Sequence, residues 1–206
     1  QDLGPRAGRC CTSRVVIAEN LVLVGDSRCF AAFDRYVGQL QWIWPEDRLA
    51  RAGSFYTAGT AAGDGVILAG SAYENDGVLA LDVHTGKLRW RSGDRQHARY
   101  GHCVFDKQFF FSGPSDLICL EATTGTLVWM APCDPWSYPK PLVHQGRVFI
   151  ADSGGSLQAI DRHSGYQLWR TSFGPPVLPL LHNAAEPGGQ LAAPVACGDH
   201  VLLASN

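Results

Sequence analysis

One pattern of four residue types occurs four times in this chain, and each copy closes on a tryptophan. In the copy that shows it best, a small residue, an acid, a glycine and a tryptophan stand at Ala80, Asp82, Gly86 and Trp90. The same spacing returns in the segments 31–42, 118–129 and 158–169. The four tryptophans are separated by 48, 39 and 40 residues. A period of about 40 residues with β-type sequence inside it is typical of one blade of a β-propeller.

Each copy is preceded by a segment with the pattern of a β-hairpin. In the second copy the polar turn 63–65 leads into the apolar run 66–69, and in the third the turn 106–108 leads into 109–111. This hairpin, the strand ending in the acid and the strand containing the tryptophan make four antiparallel strands per unit. We therefore predict an all-β propeller with blades at about 14–44, 58–91, 101–130 and 140–170, and half a blade at 192–206.

The turn between the acid and the tryptophan has a physical explanation. The acid can accept hydrogen bonds from turn amides, and the glycine supplies a positive φ that side chains resist. The small residue two places before the acid is expected to provide, with the glycine, a shallow seat for the tryptophan of the neighbouring blade. The predicted structural docking residues are Trp42, Trp90, Trp129, Trp169, Gly38, Gly86, Gly125 and Gly165.

The number of blades does not make a complete ring. Four units are complete, and the segment 194–204 repeats only the first hairpin of a fifth. A sheet that stops there leaves open strand edges. We expect residues 1–206 to form a single propeller segment, an arc completed by further blades or by a protein partner.

Composition and charge exclude some functions. The net charge is -2 and the charged fraction is 17%, which gives no electrostatic reason to expect a nucleic-acid partner. No apolar stretch approaches the roughly 20 residues of a transmembrane helix. The seven histidines lack the spacing of metal ligands, so no metal site is expected.

The repeat resembles the tryptophan-docking motif of the pyrroloquinoline quinone (PQQ)-like propellers, best seen over residues 80–90. The resemblance covers nearly residues 14–206 and implies a ring of eight blades. That superfamily includes periplasmic quinoprotein alcohol dehydrogenases and also cofactor-free scaffolds, such as the propeller lipoprotein of the outer-membrane assembly machinery. The resemblance favours a periplasmic or secreted location.

The adjacent pair Cys10 and Cys11 lies just before the first blade. In quinoprotein alcohol dehydrogenases a vicinal disulfide in this setting covers one face of the quinone, so the resemblance makes this pair the candidate cofactor-binding residues. The Asp, Asn and Gly that usually follow the pair are missing here. An accidental pair near the terminus and a vicinal disulfide without a quinone remain open alternatives.

The connections between blades are the candidate binding loops, because the strands are committed to packing. Arginine and aromatic side chains that converge near a central channel would suit an anionic or planar ligand. The alternative is that they are ordinary exposed loop residues. The candidates are Arg95, His97, Arg99, Tyr100, Trp136 and Tyr138.

Two functions follow from these observations. The favoured hypothesis is a non-catalytic propeller scaffold or binding module that presents loops to a protein or ligand, with no catalytic residue and no cofactor. The alternative is a segment of a PQQ-dependent quinoprotein alcohol dehydrogenase, with PQQ and calcium as cofactors and the cysteine pair near the quinone.

Overall fold

The structure, a computed structural model, describes residues 15–25, 29–44, 61–70, 78–92, 100–112, 115–133, 140–152, 155–172 and 193–203. Every regular element in these ranges is a strand. The strands are β1 (Val16–Ala18), β2 (Leu21–Gly25), β3 (Phe30–Asp34), β4 (Leu40–Trp44), β5 (Ala61–Gly63), β6 (Val66–Gly70), β7 (Val78–Asp82), β8 (Leu88–Arg91), β9 (Tyr100–Phe105), β10 (Gln108–Ser112), β11 (Asp116–Glu121), β12 (Leu127–Pro132), β13 (Leu142–His144), β14 (Arg147–Asp152), β15 (Ser156–Asp161), β16 (Gln167–Ser172), β17 (Val195–Cys197) and β18 (His200–Leu202).

Strands that follow one another in the chain pair antiparallel and form meanders. The first sheet contains β1–β4, the second β5–β8, the third β9–β12 and the fourth β13–β16, while the fifth contains only β17 and β18. In each complete sheet short turns join the first strand to the second and the third strand to the fourth, so these pairs are built from local contacts. The hairpin prediction and the four-strand unit are confirmed.

The third and fourth strands of each complete sheet share one irregularity. Their register shifts directly after the small residue of the repeat, between Ala32 and Phe33 in the first sheet and at the corresponding place in the other three. The shift leaves each tryptophan directly opposite the small residue of its own sheet, as for Ala32 and Trp42. Such a bulge re-aims a side chain at a fixed point of a strand.

The hydrophobic core is divided among the interfaces between neighbouring sheets. One cluster joins the first and second sheets, another the second and third, and another the third and fourth. Buried members of these clusters include Leu23 and Leu79, then Leu68 and Phe111, then Phe110 and Ile150. Each complete sheet is therefore held mainly by the sheets beside it.

The innermost strands run round a common axis. Strand β1 contacts β5, β5 contacts β9, β9 contacts β13, and β13 contacts β17. Across the described strands the sheets fan out as an open arc, with the first sheet at one end and the fifth at the other. The predicted all-β propeller fold is confirmed.

Candidate functional site

Each complete sheet carries a docking turn, the tight turn between its third and fourth strands. In the second sheet the Asp82 carboxylate accepts hydrogen bonds from the amides of His84 and Thr85 and from the Thr85 hydroxyl, at 2.9–3.0 Å. Asp34 and Asp161 accept the two corresponding amide bonds in the first and fourth sheets. The acidic side chain thus satisfies the backbone amides of its own turn.

The third docking turn differs in one respect. Glu121 accepts a hydrogen bond from the Thr123 hydroxyl at 2.9 Å, and its backbone carbonyl accepts the Gly125 amide at 2.8 Å. The backbone path is preserved, because Gly125 has φ +74° and Gly86 has φ +67°. The predicted positive φ at these glycines is confirmed.

Three tryptophans dock onto the next sheet in the same way. The indole N–H of each donates a hydrogen bond to the carbonyl of the residue that follows the acid in the next docking turn. The three bonds join Trp42 to Val83, Trp90 to Ala122 and Trp129 to Arg162, over 2.8–2.9 Å. The indole also lies flat on the glycine of that turn, where a Cβ atom would come within 2.5–2.7 Å of the ring.

The small residue of the repeat has a different place from the one expected. Ala80 is the cross-strand partner of Trp90, the tryptophan of its own sheet, and it packs in the core that faces the third sheet. The incoming Trp42 instead contacts the glycine and the Val83 carbonyl. The expectation that the small residue forms part of the neighbour's seat is therefore wrong, because partners in register lie on the same face of a sheet.

Within the described residues, the contact is not repeated at the first docking turn or at the fourth tryptophan. At the first sheet, no described residue has an atom within 4 Å of the position that a Cβ on Gly38 would take. At the fourth sheet, the Trp169 side chain contacts Phe149 of its own sheet but remains 38% exposed, against 9% for Trp42 and 7% for Trp129. The described part of the fifth sheet, β17 and β18, contains no docking turn.

Polar contacts also connect neighbouring sheets at the end that carries the docking turns. The Asp64 carboxylate accepts the Lys107 amide at 2.8 Å, and the Arg162 guanidinium contacts the Asp106 carboxylate at 3.0 Å. The Gln145 amide donates to Asp199 at 2.9 Å. The sequence pattern did not predict these contacts. The residues that make them all lie in short turns, and the polar character of those turns was the available signal.

The docking turns also lower the pKa values of two of their own carboxylates. Burial raises the pKa of Asp82, but hydrogen bonds from the Arg89 guanidinium and from Thr85, together with the Arg89 charge, outweigh it and hold that pKa at about 2. The Arg89 and Asp82 side chains approach to 2.6 Å. In the fourth sheet the Ser164 hydroxyl and amide lower the pKa of Asp161. Both carboxylates are ionised at neutral pH and are committed to their own turns.

Most predicted binding residues fall outside the described residues. They are Cys10, Cys11, Arg95, His97, Arg99, Trp136 and Tyr138. Tyr100 is the first residue of β9. The connections that carry the loop candidates follow β8 and β12, and therefore leave the sheets at the end opposite the docking turns.

The described residues also bear on two other features, a metal site and a membrane-spanning helix. Among these residues there is no group of three or more side chains suited to hold a metal ion. The same part of the chain contains no helix that is long and apolar enough to cross a membrane.

Two curated proteins are similar to parts of this chain. The chain is 32% identical to a serine/threonine-protein kinase AfsK of Streptomyces coelicolor over 46% of its length, which is 11% of that protein. It is 31% identical to quinohemoprotein alcohol dehydrogenase ADH IIB of Pseudomonas putida over 58% of its length, which is 21% of that protein. The chain thus spans only a small part of the curated relatives it matches.

Among solved structures, BamB from Moraxella catarrhalis superimposes with a TM-score of 0.65 and 18% identity, over 93% of this chain and 57% of that one. At this identity the likeness concerns the fold. A family model described as outer membrane protein assembly factor BamB matches residues 74–205, more than half of the chain. The chain therefore belongs to this family of PQQ-like propellers.

Proposed function

We propose that this chain is a non-catalytic propeller scaffold that presents its inter-sheet loops to a protein partner. The observation that carries the proposal is the match of residues 74–205 to a family described as an outer membrane assembly factor. The relative BamB of known structure has the same fold over 93% of this chain. A periplasmic location, with access to the outer membrane, belongs to the same proposal.

The use of the charged side chains in the described sheets supports this proposal. Asp34, Asp82 and Asp161 cap their own turns, and Arg162 pairs with Asp106 between sheets. Groups that are occupied in holding turns and interfaces are poorly placed to take part in chemistry. Recognition would then be left to the loops at the opposite end of the sheets, as in other propellers.

Site-specific photo-crosslinking in cells tests which face meets a partner. A photoreactive phenylalanine analogue at Trp136 or Tyr138 should give a discrete adduct with an envelope protein. The control position is Thr124, in the docking turn at the other end of the third sheet, where no adduct is expected. Adducts of equal yield from both faces, or from Thr124 alone, would contradict the proposal.

The second candidate function is a segment of a quinone-dependent alcohol dehydrogenase, and it rests on the similarity to quinohemoprotein alcohol dehydrogenase ADH IIB. The residues assigned to a quinone by resemblance, Cys10 and Cys11, lie outside the described residues. Bound PQQ would supply the redox chemistry and calcium would assist it.

Titration with PQQ and calcium separates the two functions. Under the scaffold proposal the visible spectrum of PQQ is unchanged by the protein and no dye-linked alcohol oxidation develops. A saturable spectral change that disappears in Cys10→Ser and Cys11→Ser variants would favour the dehydrogenase segment. Alkylation with and without reductant shows whether the two thiols are bridged.

A further inference from the structure

The residue that follows the acid of a docking turn is held by its backbone in every complete sheet. Its amide donates a hydrogen bond to the axial turn of its own sheet, the turn between the first and second strands, as from Val83 to the Gly65 carbonyl at 3.0 Å. In the second, third and fourth sheets its carbonyl accepts the indole N–H of the preceding sheet's tryptophan. This position therefore joins a turn near the axis to a tryptophan on an outermost strand.

In the fourth sheet this residue is Arg162, and its side chain makes a contact that the apolar side chains of Val83 and Ala122 cannot make. The Arg162 guanidinium lies 3.0 Å from the carboxylate of Asp106, in the axial turn of the third sheet. The Arg162 carbonyl accepts the indole N–H of Trp129, on the outermost strand of the same sheet, at 2.8 Å. One residue of the fourth sheet thus holds both the inner and the outer part of the third.

The two members of the charge pair differ in exposure. The Arg162 side chain is 11% exposed, whereas the Asp106 side chain is 62% exposed. Burial raises the pKa of Cys119, and the Arg162 charge partly opposes this rise, so the guanidinium lies close to the cross-strand partner of Trp129. A buried guanidinium that loses a carboxylate partner is drawn toward water. A change at Asp106 should therefore displace Arg162 and, with it, the carbonyl that holds the indole.

We propose that Arg162 couples the axial turn of the third sheet to the tryptophan contact between the third and fourth sheets, so that loss of the Asp106 charge loosens Trp129. Arg162 is a positioning residue in this arrangement. A cationic group of a partner that binds Asp106 would act through the same contact. Trp129 lies on β12, the strand that leads into the candidate loop with Trp136 and Tyr138. The link to that loop rests on the proposed scaffold function, whereas the coupling itself does not.

Hydrogen exchange of the indole N–H groups, followed by NMR, measures this coupling in the 206-residue chain. Asp106→Asn should raise the exchange rate of the Trp129 N–H by about fivefold and leave the rates of Trp42 and Trp90 unchanged. Asparagine tolerates the positive φ of 45° at this position, so the axial turn is kept.

The matched control is Asp64→Asn, at the equivalent position of the second sheet. The Asp64 carboxylate accepts the Lys107 amide, and the side-chain carbonyl of asparagine can accept the same hydrogen bond. This variant should therefore leave the exchange rates of Trp90 and Trp129 unchanged.

A second variant shows whether Asp106 acts through Arg162. Arg162→Met removes the guanidinium and keeps an unbranched side chain, so it should raise the Trp129 exchange rate by a similar factor. The double variant with Asp106→Asn should exchange no faster than either single variant, because both substitutions remove one and the same contact.

An unchanged Trp129 exchange rate in Asp106→Asn would overturn the proposal, and so would equal acceleration of Trp42, Trp90 and Trp129. A double variant whose effect is the sum of the two single effects would also overturn it, since the two residues would then act independently. The exchange rates require no partner, so these results are independent of the loop-face crosslinks that test the scaffold function.

Discussion

At the scale of single residues, the acid of the docking turn combines two tasks. In the second sheet Asp82 caps the turn amides and also binds the Arg89 guanidinium of the adjoining strand. The turn then presents the Val83 carbonyl to Trp42 of the preceding sheet. A charge on the surface thereby helps to fix the geometry of a contact in the core.

The first prediction concerns the pH dependence of this carboxylate. Because the pKa of Asp82 falls from 3.8 to about 2 on folding, its contribution is present at neutral pH and is lost as the pH falls from about 5 to 2. At pH 7 we expect Asp82→Asn to reduce the free energy of unfolding by about 1 kcal/mol, a value limited by solvent screening. Urea denaturation should show this difference shrinking at pH 3. A difference that is unchanged at pH 3 would contradict the assignment.

The second prediction concerns the thiol that replaces alanine in the third repeat. Burial and, to a lesser extent, the Glu121 charge raise the pKa of Cys119 to about 12, and the Arg162 charge partly opposes this rise. Thiolate is the reactive form, so Cys119 should resist iodoacetamide at pH 8 in the native chain. The exposed Cys197 should react fast under the same conditions. Peptide mapping checks this, and equal labelling of the two residues in the native chain would show that the third sheet is not packed as described.

At the scale of elements, the unit of stability is the contact between two sheets rather than the sheet alone. Each interface between two complete sheets joins an apolar cluster to one indole hydrogen bond and one indole–glycine contact. Loss of a buried indole costs roughly 3–5 kcal/mol in proteins. The glycine matters here for the space it leaves as well as for its φ.

The third prediction separates those two properties of glycine. Gly125→Ala puts a Cβ 2.5 Å from the Trp90 ring, in addition to the strain at φ +74°. Gly146→Ala carries the strain at φ +72° and meets no atom of a described residue within 4 Å. We expect a loss of about 2–4 kcal/mol for Gly125→Ala and about 1 kcal/mol for Gly146→Ala, measured by chemical denaturation. Equal losses would mean that the indole does not rest on the glycine.

At the scale of the whole molecule, the sequence was sufficient to predict the fold and the positions of the docking turns. The recurrence of Asp82, Gly86 and Trp90 at a fixed spacing determines where the turn lies and which tryptophan docks onto the next sheet. The packing of Ala80 was harder to predict from the sequence. The bulge that follows Ala80 sets the register between β7 and β8, and this register determines which tryptophan lies on the same face as Ala80. Register irregularities depend on tertiary packing, which a repeat pattern does not encode directly.

The candidate binding loops were less accessible to sequence reasoning. Only residue type and position between blades point to Arg95 and Trp136, because their local segments contain none of the periodicity that identifies a strand. Polar bridges such as Asp64 to Lys107 join residues 43 positions apart. Such pairs become neighbours only when the sheets fan around one axis.

The central claim is that successive sheets are joined by indoles seated on the glycine of the next docking turn. Hydrogen exchange of the tryptophan indole N–H groups, followed by NMR, tests it most directly. The account predicts slow exchange for Trp42, Trp90 and Trp129 and fast exchange for Trp169. Exchange of the first three at the rate of Trp169 would contradict it.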